Sequence, residues 1–379
     1  MKVVRFGLLL ALIVAGSALA AASASAGSGV VGQVYVNDNT AGVNTIAAFD
    51  RHADGSLTPL AASPFAAGGA GTGHGIGSQG ALQVTSDGRY LLAVDAGSNQ
   101  ISVLRIKPHG ELQPVEGSPV ASGGIEPVSI AVHSGLVYVA NTGAGGSNYT
   151  GFTLNPGGHL RPLSDSTVPL PDGSQPGDVL FNGDGRHLVG VRVATSLIDS
   201  FSVGDNGRLT AAAGSPFSAQ GPGPFGSEFR PTNSSQVYVS NAHGGAGNGT
   251  VSAFSVAGDG TLSSIGSSPF ADLQTAPCWV EISQDGQYLF TVNTASNSIS
   301  RYTINPDGSL SLIGSTPFKT AKLGPEDARL SPDGNTLWVV GTAADSLSAF
   351  AVKGGTLTEL SSSPTPLPVG ATPFGIVVT

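Results

Sequence analysis

The strongest constraint on this chain is a unit that recurs every ~50 residues. Its clearest copy runs from Cys278 to Phe318. That copy breaks into four short runs, CWVEIS, YLFTVN, SISRYTI and SLSLIG, separated by polar turns such as Gln284-Asp285-Gly286 and Asn305-Pro306-Asp307-Gly308. Apolar and polar residues alternate within each run, the period of a pleated strand.

Two landmarks count the copies. A tight turn follows the first strand at Ser86-Asp87-Gly88, His133-Ser134-Gly135, Gly183-Asp184-Gly185, Thr232-Asn233-Ser234, Gln284-Asp285-Gly286 and Pro332-Asp333-Gly334. A Ser/Thr-Pro step follows the fourth strand at Ser63-Pro64, Ser118-Pro119, Ser215-Pro216, Ser268-Pro269, Thr316-Pro317 and Ser363-Pro364, with Val168-Pro169 expected to fill the one gap. Second strands end at Asn37, Asp95, Asn141, Val193, Asn241, Asn293 and Gly341, which makes seven. One four-stranded sheet of this kind cannot bury both faces, whereas seven packed in a ring can. The expected fold class is therefore all-β, a seven-bladed β-propeller of four antiparallel strands per blade. The chain's 55 glycines and 25 prolines serve its many turns, and only 11% of its residues are charged.

The ends of the repeat are out of phase. The first unit begins at a second strand, Gln33 to Asn37, and the chain finishes on an orphan first strand, Pro373 to Thr379. Pairing them would complete one blade and remove two free sheet edges.

Ahead of the repeat lie a basic start (Lys2, Arg5), an apolar run over 7–16 and small-x-small steps at Ala18-Leu19-Ala20, Ala22-Ser23-Ala24 and Ala24-Ser25-Ala26. This reads as a secretory signal peptide over 1–26, with 27–379 a single propeller domain delivered outside the cell or to the periplasm. No Cys follows the apolar run, so a lipid anchor is not expected, nor is a membrane span. The formal charge of −9 becomes more negative once Lys2 and Arg5 are removed, which disfavours nucleic acid as a partner. The lone Cys278 allows no intrachain disulfide. A monomer is expected.

The VYVAN (137–141), VYVSN (237–241) and SPDG (331–334) elements resemble the YVTN-type repeats of the lactonase family of seven-bladed propellers, which includes 6-phosphogluconolactonase and the carboxymuconate lactonising enzyme. The resemblance spans essentially the whole chain after the leader. It implies a catalytic pattern G-P-R-H-x-x-F-x-P-x-G on an inner strand, followed by Y-V-x-N-E at the end of the next. Here the matching segment is Gly223-Pro224-Phe225-Gly226-Ser227-Glu228-Phe229-Arg230-Pro231, and the next strand ends Tyr238-Val239-Ser240-Asn241-Ala242. Phe225, Gly226 and Ala242 stand where the resemblance places Arg, His and Glu. The framework matches and the chemical groups differ.

Aligning the inner strands by their turns separates two parities. One is mainly apolar: Leu82, Val84, Val179, Phe181, Val280, Ile282, Leu330, Ile376 and Val378. The other carries Gln83, Asp178, Glu228, Trp279, Glu281, Asp327 and Arg329, and is expected to face the central channel. Asp178, Glu228, Glu281, Asp327 and Arg329 are then catalytic candidates, with a crowded carboxylate activating water and Arg329 stabilising an oxyanion. Trp279, Gln83, His74 and His243 are candidates for ligand binding, the histidines lying in Gly-rich loops on the face where long loops gather. Glu126 and Glu326 fall near the channel entrance. The same acids also read as solvated channel lining, partly neutralised by Arg329. No cofactor is evident, and converging carboxylates would suit Ca²⁺. The expected function is a secreted, lactonase-like propeller that binds a small polar ligand, such as a sugar or lactone, or an extracellular protein, on its loop-rich face without the family's chemistry. Two further readings stay open: an extracellular lactonase or cyclase with a site rebuilt from the carboxylates, and a surface module with no small ligand.

Overall fold

Strand periodicity and turn chemistry produce the expected architecture. The computed structural model describes residues 29–379; the segment read as a signal peptide lies outside the described residues. Seven antiparallel sheets form a seven-bladed propeller. The inner strands of blades 1 to 7 are, in order, Ile376–Val378, Leu82–Val84, Pro127–His133, Pro176–Phe181, Pro224–Arg230, Pro277–Ile282 and Pro325–Leu330. No helix among the described residues is long and apolar enough to cross a membrane.

Second strands are the most deeply buried. Tyr90–Asp95 is buried at every position, because both faces of its sheet meet a neighbouring blade. The apolar parity of the inner strands fills the same interblade layers, with Leu82, Val179, Val280 and Ile376 almost wholly covered. Tyrosines on second strands tie blades 1, 3 and 5 to the blade that follows. The hydroxyl of Tyr35 donates to the Gly110 carbonyl at 2.9 Å, that of Tyr138 to Gly207 at 2.9 Å and that of Tyr238 to Gly308 at 2.9 Å.

The Ser-Pro landmark has a structural job. The hydroxyls of Ser63, Ser118 and Ser268 accept the third-strand amides of Ala48, Val103 and Ala253 at 2.8, 2.8 and 2.7 Å. The serine replaces a ladder partner where the fourth strand breaks, and a two-residue strand follows. In blade 3 this role falls to Ser166, which accepts the Gly151 amide at 3.0 Å. Val168–Pro169 is the short strand after it, so the expected landmark is displaced by two residues. Blade 6 has no such break, and Leu310–Pro317 runs as one fourth strand.

The ends close as the phase of the repeat requires. Val34, Val36 and Tyr35 pair with Val378, Ile376 and Val377. The Asn37 amide donates to the Gly375 carbonyl at 3.1 Å and the Phe374 amide to Asn37 at 3.0 Å. Phe374, Ile376, Val377 and Val378 are all buried.

One element departs from the repeat. The approach to the blade 2 inner strand dips into the channel and crosses it. The Gln79 amide donates to Gly177 of blade 4 at 3.0 Å, and the Ile130 amide of blade 3 donates to Gly80 at 3.0 Å. The Gln79 side chain donates to the Ser227 carbonyl at 2.8 Å and accepts the Val280 amide at 3.0 Å. The Trp279 indole donates to the Ser78 carbonyl at 2.8 Å. Residues 75–80 thus plug the hub with bonds to four blades.

The plug makes a direct prediction. Gln79→Ala strands the Val280 amide and the Ser227 carbonyl inside the channel, and each stranded buried group costs about 1–3 kcal/mol. Urea denaturation should therefore show a loss of about 2–6 kcal/mol, and unchanged stability would contradict the plug.

Candidate functional site

The inner strands bring the second parity to the hub in two tiers. Ser129, Asp178, Gly226, Trp279 and Asp327 occupy equivalent places in the upper tier; Gln83, Ala131, Leu180, Glu228, Glu281 and Arg329 form the lower one. The plug lies against the upper tier and divides the hub into two compartments.

Below it, towards the short turns, is a chamber of about 270 Å³ lined by Gln83, Asp178, Glu228, Ser227, His133 and Arg329, with Gln79 as its roof. Asp178 bridges three blades: it accepts the Ser129 hydroxyl at 3.2 Å, the Ser227 amide at 3.0 Å and the Ser227 hydroxyl at 2.6 Å. Burial nevertheless pushes its carboxyl up to about 7, against the pull of the Ser227 hydroxyl. Burial likewise raises Asp327 to about 7, with Arg329 the main opposing influence. Asp327 takes the Ala328 amide on one oxygen, and its other oxygen has no partner among the described residues. Glu281 accepts the Leu330 amide at 2.9 Å and faces the Arg329 guanidinium at 3.4 Å. Burial raises Glu281, and burial together with the charge of Glu281 raises Glu228. Glu281 is the largest influence holding Arg329 protonated, joined by Glu228, Asp327 and Asp178. Of the acids and arginine expected to converge, Asp178, Glu228 and Arg329 line the chamber, while Glu281 and Asp327 act on Arg329 from buried positions outside its lining. Among the described residues, no three Asp, Glu, His or Cys side chains are grouped so as to hold a metal ion.

Above the plug, on the loop-rich face, is an open bowl of about 510 Å³. Its lining includes Gly75, Ile76 and Gly77 from the plug, Glu126, Thr142, Gln175 and Val193 from loops of blades 3 and 4, and Phe225 and His243 from blade 5. The sequence-predicted residues are therefore divided. His243 reaches the bowl, while Gln83, Asp178, Glu228 and Arg329 line the chamber on the other side of the plug. His74 is exposed beside the bowl, its ring nitrogen 3.3 Å from the Gly75 carbonyl and its own carbonyl accepting the Asn39 amide group at 2.8 Å.

Trp279, a ligand-binding candidate in the sequence, lines neither the bowl nor the chamber. It is 2% exposed, its indole N–H is spent on Ser78, and its ring packs at 5.3 Å from Phe225. Phe225 is the aromatic side chain that the bowl presents. Glu326 is pushed up to about 8 by burial, and Cys278 up to about 12 by the same cause. Such a thiol is inert at neutral pH.

Gly226 explains one departure from the family pattern. A Cβ there would collide with Gln79 Oε1 and come within 2.5 Å of the Cys278 carbonyl. A histidine at this position and the plug exclude each other.

The model of the seven-bladed β-propeller lactonases matches residues 42–181 and 227–373. The chain belongs to that lactonase family. The unmatched interval between the two segments contains Phe225 and Gly226. Among solved structures, a candidate 6-phosphogluconolactonase from Bacteroides fragilis aligns with a TM-score of 0.74 at 21% identity, over 92% of this chain and 97% of its own. Its counterpart from Bacteroides uniformis aligns at 0.72 and 21%, over 92% and 99%. The periplasmic gluconolactonase of Pseudomonas aeruginosa aligns at 0.72 and 18%, over 92% and 99%. At these identities the likeness of this lactonase-family propeller to each is a likeness of fold. No curated protein matches the chain.

Proposed function

We propose that this lactonase-family propeller acts outside the cytoplasm and binds a small, neutral, hydroxyl-rich ligand, a sugar or aldonolactone, in the loop-face bowl without the family-type Arg/His/Glu chemistry. The observation that carries this reading is the bowl itself. Its volume suits one sugar ring, Phe225 offers a stacking face, and Glu126, Thr142, Gln175 and His243 offer hydrogen bonds. Phe225, Gly226 and Ala242 at the family's chemical positions favour binding over turnover. The basic-apolar-small leader supports export, and one structural neighbour is a periplasmic gluconolactonase.

Calorimetry against D-glucono-1,5-lactam, a neutral analogue that does not hydrolyse, tests the reading, with pH-stat assay of D-glucono-1,5-lactone beside it. Binding should weaken about tenfold in Phe225→Ala, the loss of one stacking ring. Lactone should open no faster than in buffer. Absence of binding across sugars and lactams would sink the proposal. Rapid turnover abolished by Glu228→Gln would move the chemistry to the chamber and favour the rebuilt carboxylate site.

A further inference from the structure

Five blades enter their inner strand through the same local device. The residue before the strand's first proline is left-handed, at φ 57° for Glu126, 50° for Gln175, 67° for Gly223, 56° for Ala276 and 58° for Gly324. In every case its carbonyl accepts the first amide beyond the second strand. Thr142 donates to Glu126 at 3.0 Å, Val193 to Gln175 at 3.0 Å, Ala242 to Gly223 at 2.8 Å, Thr294 to Ala276 at 3.0 Å and Thr342 to Gly324 at 3.0 Å. The propeller imposes this backbone on all five, so it does not explain which side chain each carries.

Glycine is the unstrained choice in the left-handed region, and blades 5 and 7 use it. Blade 6 carries Ala276, whose methyl packs on the core. Only blades 3 and 4 carry long polar side chains there, and both of these, Glu126 and Gln175, line the bowl. In blade 5 the vacant place is taken from another loop: a Cβ on Gly223 would meet the His243 ring, 2.6 Å from its Nδ1. Three successive blades therefore offer the bowl a carboxylate, an amide and an imidazole at one level. The Glu126 amide and carbonyl, the Gln175 carbonyl and the His243 amide are engaged, while the three side chains bond to no other group among the described residues.

We propose that Glu126, Gln175 and His243 form the specificity-determining arc of the bowl, and that Glu126 selects neutral polyhydroxylated ligands over their anionic counterparts. This inference rests on the bowl being the ligand site. A carboxylate accepts hydroxyl hydrogen bonds strongly, Gln175 both donates and accepts, and the negative charge of Glu126 repels a carboxylate or phosphate brought into the same bowl.

The test compares D-glucono-1,5-lactam, D-gluconate and 6-phosphogluconate by calorimetry. In Glu126→Gln the preference for the lactam over the two anions should fall about tenfold, the effect of one unfavourable charge contact. In Gln175→Ala all affinities should weaken while the preference stays. Glu126→Gly supplies the readout that a structural role would fail: it should lose lactam affinity while keeping or raising Tm, because glycine relieves the left-handed backbone. An unchanged preference in Glu126→Gln, or a lower Tm with intact binding in Glu126→Gly, overturns the proposal and leaves the bowl as the binding site. A wild-type protein that binds none of the three at millimolar concentration overturns both.

Discussion

A chain ending at Pro373 will not accumulate as a soluble monomer. The last six residues supply the inner strand of blade 1, and removing them leaves Val34–Val36 without backbone partners on that side. They also take away Phe374, Ile376, Val377 and Val378, all buried against blades 7, 1 and 2. Each such side chain contributes about 1.5–3 kcal/mol by burial. Their sum is on the order of the whole folding stability of a domain. What remains is an open ring with one bare, apolar strand edge, the arrangement most prone to pair with another molecule. Size-exclusion chromatography of the truncated and full chains decides the matter. A truncated monomer melting at the wild-type temperature would show that the closing strand is dispensable.

The second large effect concerns Arg329, the one Arg or Lys that lines the chamber among the described residues. Arg329→Met keeps the bulk of the stem and removes the charge facing Glu281 at 3.4 Å. Stripping one partner from a fully buried pair costs about 3–5 kcal/mol, and the 25% exposure of the Arg329 side chain puts the loss at the lower end of that range or below it. The loss should depend on pH in a stated direction. Asp178 and Asp327 are raised from 3.8 to about 7 in the folded protein, so folding favours their protonated forms. Their contribution is fully present below the unfolded value near 4 and is lost as pH rises through 7. Wild-type stability should accordingly decline between pH 5.5 and 8.5. Without Arg329 the four acids lose their counter-charge and rise further, so the gap between variant and wild type should widen over the same interval. Thermal melts at the two pH values measure it, and an equal deficit at both would mean that Arg329 acts through packing alone.

The parts legible in sequence are those written in a short repeat. Seven second strands and the out-of-phase ends fix the ring and its closure, and period-two alternation puts Gln83, Glu228 and Arg329 on the parity that lines the chamber. The plug was not legible, for a physical reason. Gln79 finds its partners at Gly177, Ser227 and Val280, each about 100 or more residues away, and a bond between distant blades leaves no local pattern. One signal was available: Gly177 and Gly226 sit in inner strands where other blades carry side chains, and such a gap invites another segment to fill it. Trp279 departs from its expected role for the same reason. Its parity aims it at the hub, but the hub at that level is occupied. In blade 3 the landmark was displaced because the ladder needs a hydroxyl at that spot, which Ser166 supplies without a following proline.

The tyrosine staples carry an implication of their own. Tyr35, Tyr138 and Tyr238 each hand their proton to a turn that comes later in the chain, in the blade that follows. During synthesis every one of these blades emerges with its hydroxyl still wet and is sealed only when its successor arrives. Assembly is thereby given a sense of rotation, and a lesion in one hairpin loosens the blade made before it as well as its own.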